Sequence, residues 1–430
     1  MSVEFDQSPW VFSRIPGGYE SQCPTLGITI TADDIKRKSD ELIALLCVRS
    51  TMIGLRTVED DILKTGTLNF YAPTSRVTWA KNLRASCPGE AQSLDWETFL
   101  ERFVNQVIKA ERLGDPLVDL ADVELSDGNR YLIPGLVSAE ETTIWFGDGG
   151  SMKSYLALAA CATIASGSSD YIGVDPNEKR RVGYVDWEWG SQAHRRRLGR
   201  MSADKKMPDI SYIRCDRPLT HEVPRLQRLI HEHRLEFLVL DSIVFGCDGP
   251  AENSDTAGRY IMAVRQLGIP CLLIAHVTKS DEGDKKPFGS AFWSNSARLT
   301  WFIKKSGEYG DQTMIGMFNR KNNDDRNLDP RAFRFWFQDD MLRTIISPAD
   351  MTDIANEPEI AGKLSIRDRI IASVRSEPKT MVEIAEEIDS TVETVRKTVN
   401  RDVDKGRTFT RIYGTDNVYR ITLLPTGTEG

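Results

Sequence analysis

The run Gly147-Asp148-Gly149-Gly150-Ser151-Met152-Lys153-Ser154 carries the residue types best suited to holding phosphate. An apolar stretch at 142–146 leads into it and Tyr155-Leu156-Ala157-Leu158 leads away, the layout of strand, glycine-rich loop and helix. Glycines let backbone N–H groups converge on a polyphosphate without side chains in the way, and the helix adds its positive N-terminal end. In such a loop Lys153 reaches the β- and γ-phosphates and Ser154 ligates Mg²⁺. One position departs from the G-x-x-x-x-G-K-[ST] spacing: Met152 stands where the second glycine belongs. A methionine held in a left-handed conformation costs roughly 1–2 kcal/mol. As the first helical residue it costs little, and that second case is the expectation.

Two carboxylates and a histidine complete the set. Leu238-Val239-Leu240-Asp241-Ser242 is an apolar strand ending in an acid, the form of a carboxylate that holds the Mg²⁺ shell. It follows one intervening strand, 181–185, which runs into Asp186-Trp187-Glu188. Glu188 there is placed to orient and deprotonate a water for attack on a γ-phosphate. His276 follows the apolar run 271–275 and so falls at the carboxyl edge of the same sheet, where open α/β sheets bind ligands. It reads as a sensor of the γ-phosphate or of bound DNA. His231 and His233 are spaced like metal ligands, but no cysteine or further histidine accompanies them, and no metal site is expected there.

Positioning these groups requires an α/β core. From 131 to 347, short apolar runs alternate with helix-like stretches, which is how a mostly parallel sheet with crossover helices reads. Strands are expected at 142–146, 181–185, 237–240, 270–275, 299–303 and 314–318. Residues 1–130 are expected to be mostly helical, with helices at 32–47 and 96–112, the second capped by Asp95 and ended by Gly114 and Pro116. After a polar linker at 348–363, residues 364–425 give three helices (365–376, 380–388, 391–405) and a hairpin (408–413 and 417–423), the succession of a winged helix-turn-helix. In the third helix Val392, Val395, Val399 and Val403 share the core-facing stripe, while Arg396, Lys397, Asn400, Arg401 and Lys405 project elsewhere. Such residues fit a major groove, with Arg407 and Arg411 of the wing on phosphates. Over 363–423 there are 12 Lys and Arg against 10 Asp and Glu, a weak basic bias that leaves protein docking as the competing use.

The 430 residues suffice for two or three domains. A net charge of −8 argues against a uniformly basic nucleic-acid coat while leaving local patches open. The seven cysteines are scattered without a C-x-x-C pair, so neither a disulfide framework nor a zinc cage is expected. No run approaches a spanning helix, and the first residues have no signal-peptide pattern; a cytoplasmic protein is the expectation.

Taken in order, Gly147–Ser154, the acid of Val185-Asp186-Trp187-Glu188, Leu240-Asp241-Ser242, Ala275-His276-Val277-Thr278-Lys279 and the run from Pro287 to Arg298 resemble the RecA-like ATPases of the plasmid RepA and DnaB-type helicase group, over about the middle half of the chain. The resemblance implies ATP with Mg²⁺ bound between subunits of a ring or short filament, a hexamer favoured, with single-stranded DNA in the channel. It also implies a cation supplied by a neighbouring subunit. Arg320 and Lys321 sit where such residues occur, but the common Lys-x-Arg reads Lys321-Asn322-Asn323 here, and Arg320, Lys321 and Arg298 all stay open as that cation. Two segments look like channel loops, 245–258 and 279–290, the second carrying Lys279, Lys285 and Lys286 amid Asp281, Glu282 and Asp284. The basic run 194–200, continuing to Lys205 and Lys206, would bind nucleic acid or pair with an acidic neighbour.

Two readings follow. One is an ATP-hydrolysing, DNA-dependent motor serving replication or recombination of a phage, plasmid or other mobile element. The other is an ATP-dependent DNA-binding switch, helicase loader or defence ATPase that never separates strands. A small-molecule kinase is disfavoured by the absence of a lid or acceptor site and by the winged helix.

Overall fold

The computed structural model describes residues 10–38, 40–51, 61–87, 92, 94–114, 117–123, 130–277, 291–323, 326–350, 365–375, 377–404, 408–413 and 418–424. The chain forms two compact units: 1–128 with 217–236 and 259–269, and 129–216 with 237–258 and 270–430.

The first unit is built on a five-stranded antiparallel sheet in chain order, β1 (Val11–Ile15), β2 (Gly18–Cys23), β3 (Ile28–Lys38), β4 (Glu41–Ser50) and β5 (Ile62–Asn69). Two helices follow, α1 (Pro73–Ser86) and α2 (Trp96–Leu113). The helix expected at 32–47 is therefore a β-hairpin, and the region is not mostly helical. Ile28, Ile30 and Ala32 are buried at every second position, as are Leu42, Ala44, Leu46 and Val48, a period of two that only a strand produces. The polar run before Leu42 and the unbroken apolar run after it imitate a helix, while β3 bends at a bulge between Asp33 and Lys36 where Asp34 takes φ 51°. The α2 prediction matches in extent, and Asp95 accepts the Thr98 N–H as its N-cap. Phe99, Leu100, Phe103 and Val107 of α2 share one core with the sheet residues.

In the second unit, β6 (Tyr131–Ile133) and β7 (Val137–Ser138) form a small hairpin before the main sheet. The chain then runs β8 (Thr143–Gly147), α3 (Lys153–Ser166), β9 (Val182–Asp186), α4 (Ser191–Met201), β10 (Ile210–Arg214), α5 (Leu219–His233), β11 (Phe237–Asp241), α6 (Ile243–Gly246), α7 (Ser254–Gln266), β12 (Cys271–His276), α8 (Ala291–Ser296), β13 (Leu299–Tyr309), β14 (Gln312–Asn322), β15 (Arg331–Gln338) and β16 (Arg343–Ala349). Of these, α5 and the end of α7 belong to the first unit. The nine-stranded sheet has the order β10-β9-β11-β12-β8-β13-β14-β15-β16, with β10 to β13 parallel and the remainder antiparallel. Two strands, β9 and β10, thus separate β8 from β11 in sequence, not one. Ile210-Ser211-Tyr212-Ile213-Arg214 is half-buried at the sheet edge and too polar to announce itself.

The parallel strands β8, β9, β11 and β12 are buried on both faces and carry the near-continuous apolar runs that such burial demands. Their register brings Asp186 opposite Asp241 and Gly147 opposite His276, so that the candidate groups share one edge.

The last residues form α9 (Ile366–Ser373), α10 (Met381–Glu387), α11 (Val392–Val403) and the antiparallel pair β17 (Phe409–Tyr413) and β18 (Tyr419–Leu423). A capping box of Thr380 and Glu383 starts α10. Val395 and Val399 are buried with Ile370, Ile384, Phe409 and Ile421 in a separate small core, with Val392 and Val403 packed against it.

Candidate nucleotide site

Gly147 ends β8 at a close approach: a Cβ there would lie 2.1 Å from the Ile303 carbonyl oxygen of β13. Beyond it, Gly149 and Gly150 have no heavy atom within 4 Å of a Cβ position, and Gly150 takes φ 74°. The loop therefore presents bare backbone to open space. Met152 is the N-cap of α3 at φ 66°, ψ 11°, in the left-handed region. The expectation that it begins the helix does not hold; the helix starts at Lys153, and the backbone turns at the position where glycine is usual. Strain of this kind persists where surrounding structure fixes it, and it concentrates at binding loops.

Lys153 is buried and folded back on its own loop. Its Nζ donates to the carbonyls of Gly147 at 2.9 Å and Asp148 at 2.7 Å and to Ser151 Oγ at 3.2 Å. Burial pulls its pKa from 10.5 to about 8, against the opposing pull of Asp241, Asp148 and Glu188. Tyr155 packs edge-on against Phe335 and Phe337 of β15, 5.7 and 6.2 Å between ring centres, so it anchors the start of α3.

Asp241 is 4 % exposed at the end of β11 and accepts a 2.6 Å hydrogen bond from Tyr184 Oη. Burial raises its carboxyl above the ordinary range, while hydrogen bonds from Tyr184 and Ser154 pull it back. Glu188 Oε1 accepts from Ser242 Oγ and lies 3.8 Å from His276 Nε2, an ion-pair contact longer than a hydrogen bond. His276 foremost, then Ser242, holds Glu188 below its ordinary pKa against its partial burial. Glu188 is thus held as a carboxylate beside Asp241.

Three neighbours of this cluster were not singled out from the sequence. Asp186 is buried, accepts N–H bonds from Glu188 at 2.9 Å and Trp189 at 3.1 Å, and is held by His194 and Tyr212. Tyr184 and Ser242 are the others. Asp186 had a sequence signal, an acid at a strand end two residues before Glu188; the partners that reach it do not follow from spacing.

The residues present fit a magnesium triphosphate: open glycine backbone, a buried amine without a carboxylate hydrogen bond, and Ser154 hydrogen-bonded to Asp241. Among the described residues no group of three or more His, Cys, Asp or Glu is placed to hold a metal. One hydroxyl and one carboxylate suit Mg²⁺, which keeps waters and phosphate oxygens as its other ligands.

Residues 110–282 match a family model described as an AAA domain. The match supports a P-loop ATPase. The mixed, parallel-dominated sheet, with the loop-bearing β8 between β12 and β13, fits a RecA-like P-loop core. No curated protein matches the chain. Among solved structures it is similar to a KaiC-like protein of the hyperthermophilic archaeon Pyrococcus horikoshii OT3, at 14% identity and a TM-score of 0.36, over 50% of this chain and 93% of that one. Among the described residues, no helix is long and apolar enough to cross a membrane.

Lys321 Nζ donates to the carbonyls of Ser294 and Asn295, both at 2.9 Å, capping the end of α8. Arg320 lies over the rings of Phe302 and Phe318, 5.2 and 5.8 Å from their centres, and Arg298 is exposed. Lys279, Lys285 and Lys286 lie outside the described residues, as do Lys405 and Arg407. The segment 245–258 is threaded by α6 and the start of α7 and is tied by Trp293 Nε1 donating to the Ala251 carbonyl at 2.9 Å. The basic run 194–200 forms α4 and is not one solvated charge row. His194 is buried on Asp186, Arg197 stacks on Trp189 and Tyr155, and Arg200 pairs with Asp339 at 2.5 Å. On α11, Arg396, Lys397 and Arg401 are exposed, the first two paired with Glu393, and Asn400 Oδ1 accepts from Arg411 at 2.6 Å.

Proposed function

We propose that the chain is an oligomeric, DNA-dependent ATPase motor of the RepA and DnaB-type helicase kind, serving replication or recombination of a mobile element. The observation that carries the reading is the meeting of Lys153, Asp241 and Glu188 at the carboxyl edge of one parallel sheet. In it, Lys153 and the amides of 147–154 hold the phosphates, and Ser154 and Asp241 hold Mg²⁺, which when bound neutralises phosphate charge. Glu188 takes the proton from the attacking water, and His276, 3.8 Å from it, senses the γ-phosphate. Arg320, Lys321 or Arg298 supplies positive charge to the site of a neighbouring subunit. Residues 364–425 act as a winged helix, reading duplex DNA with Arg396, Lys397, Asn400 and Arg401, while Lys279, Lys285 and Lys286 grip a single strand.

ATP hydrolysis measured with and without single-stranded DNA, beside strand displacement on a forked duplex, tests the reading. Stimulated turnover with displacement supports it. Stimulated turnover without displacement moves the chain to the switch or loader reading, and equal turnover with and without DNA overturns both. Glu188→Gln should bind ATP while lowering turnover at least a hundredfold; near-normal hydrolysis removes Glu188 as the base.

A further inference from the structure

His194 packs between the two tyrosines that hold the site's carboxylates. Its ring centre is 4.6 Å from Tyr184, whose hydroxyl bonds Asp241, and 5.7 Å from Tyr212, whose hydroxyl lies between the Trp189 carbonyl at 2.7 Å and Asp186 Oδ2 at 3.1 Å. Its Nε2 lies 3.0 Å from Asp186 Oδ2, and the residue is 6 % exposed. A carboxylate can only accept, so Nε2 carries the hydrogen and donates. Asp186 in turn binds the N–H groups of Glu188 and Trp189, the turn from which the Glu188 side chain departs. Burial works against this carboxylate, but His194 and the two N–H groups hold it below the ordinary range.

We propose that His194 is a positioning residue for hydrolysis: by its hydrogen bond to Asp186 it fixes the backbone that aims Glu188, and by its ring it holds Tyr184 against Asp241. This rests on Glu188 as the base. The groups do not react themselves; they set where the reacting carboxylate points, and a misplacement of about 1 Å at such a centre costs on the order of a hundredfold. The imidazole stands on α4, so any ligand or subunit that shifts α4 acts on both carboxylates at once.

Two substitutions separate its functions. His194→Phe keeps a ring beside Tyr184 and Tyr212 but cannot donate; His194→Gln keeps a donor without the ring. Single-turnover ATP hydrolysis is measured with DNA present, active sites being counted by titration with a nonhydrolysable analogue. Expected is a rate at least tenfold lower for H194F with analogue affinity within twofold of the parent, and recovery to within threefold for H194Q. In an E188Q background, H194F should add less than twofold, because a group that acts through Glu188 has nothing left to aim. H194F at the parental rate, or with the same penalty in both backgrounds, overturns the proposal. E188Q at the parental rate overturns the base assignment and this proposal together, and that result is distinguishable because it does not involve His194.

Discussion

At the scale of single residues, the amine of Lys153 controls how the site responds to pH. Burial lowers its pKa to about 8, and bound polyphosphate favours the charged form. Nucleotide affinity should therefore hold steady below about pH 8 and fall toward tenfold per unit above it. Calorimetry at pH 9 in buffers of different ionisation enthalpy should show proton uptake on binding. The sign for folding is opposite: below about 8 the folded protein carries a charged amine that it holds less well than the unfolded chain does. That cost is relieved between about 8 and 10.5. Met152 gives a second expectation. Met152→Gly removes roughly 1–2 kcal/mol of left-handed strain, adds roughly 0.5–1 kcal/mol of chain entropy and gives up the packing of the Met152 side chain against the core, so the denaturant midpoint should shift little. Lys153 and Ser154 were visible as residue types after a glycine-rich loop, and Asp241, Glu188 and His276 at or just beyond strand ends. The hydrogen bonds that orient them were not, because Tyr184 to Asp241 spans 57 positions, a separation at which spacing carries no signal.

At the scale of elements, the loop's two kinds of glycine should separate in experiment. Gly147→Ala drives a methyl into the Ile303 carbonyl and should unfold or strongly destabilise the ATPase domain, by about 2 kcal/mol or more. Gly149→Ala meets open space and should leave thermal stability within about 0.5 kcal/mol while weakening nucleotide binding, read by melting with and without ATP. The α2 cap, which belongs to the first unit, is a control: Asp95→Ala should cost about 1 kcal/mol, read by denaturant unfolding. The parallel strands were legible because burial on two faces forces unbroken apolar runs. The N-terminal sheet was hidden by one such run, 42–48, in a strand with one buried face, where Ile43, Leu45 and Cys47 are apolar though only half-buried. The alternation of Phe333, Phe335 and Phe337 in β15 was a readable strand signal that went unused.

At the scale of the whole molecule, the proposal stands or falls on assembly. With ATP analogue and DNA present, mass measurement should give a discrete particle of several chains, six favoured, and Lys153→Ala should abolish both nucleotide binding and that particle. A persistent monomer would remove the shared cation from the scheme. If residues 364–425 read duplex DNA as proposed, binding through α11 should weaken with salt, and Arg401→Ala should reduce the slope of log affinity against log salt by about 1.

Trp189 has a practical use that follows from its setting. Its indole is 48 % exposed, carries the Arg197 guanidinium 4.3 Å from its ring centre, and follows Glu188 directly in the chain. Of the nine tryptophans only Trp336, at 37 %, is comparably open among the described residues. In a Trp336→Phe protein, iodide quenching and red-edge emission would report chiefly on this ring, with a smaller share from the partly buried Trp10. The chain thus contains its own optical gauge of the turn beside the phosphate loop, readable in real time during a turnover without any attached dye.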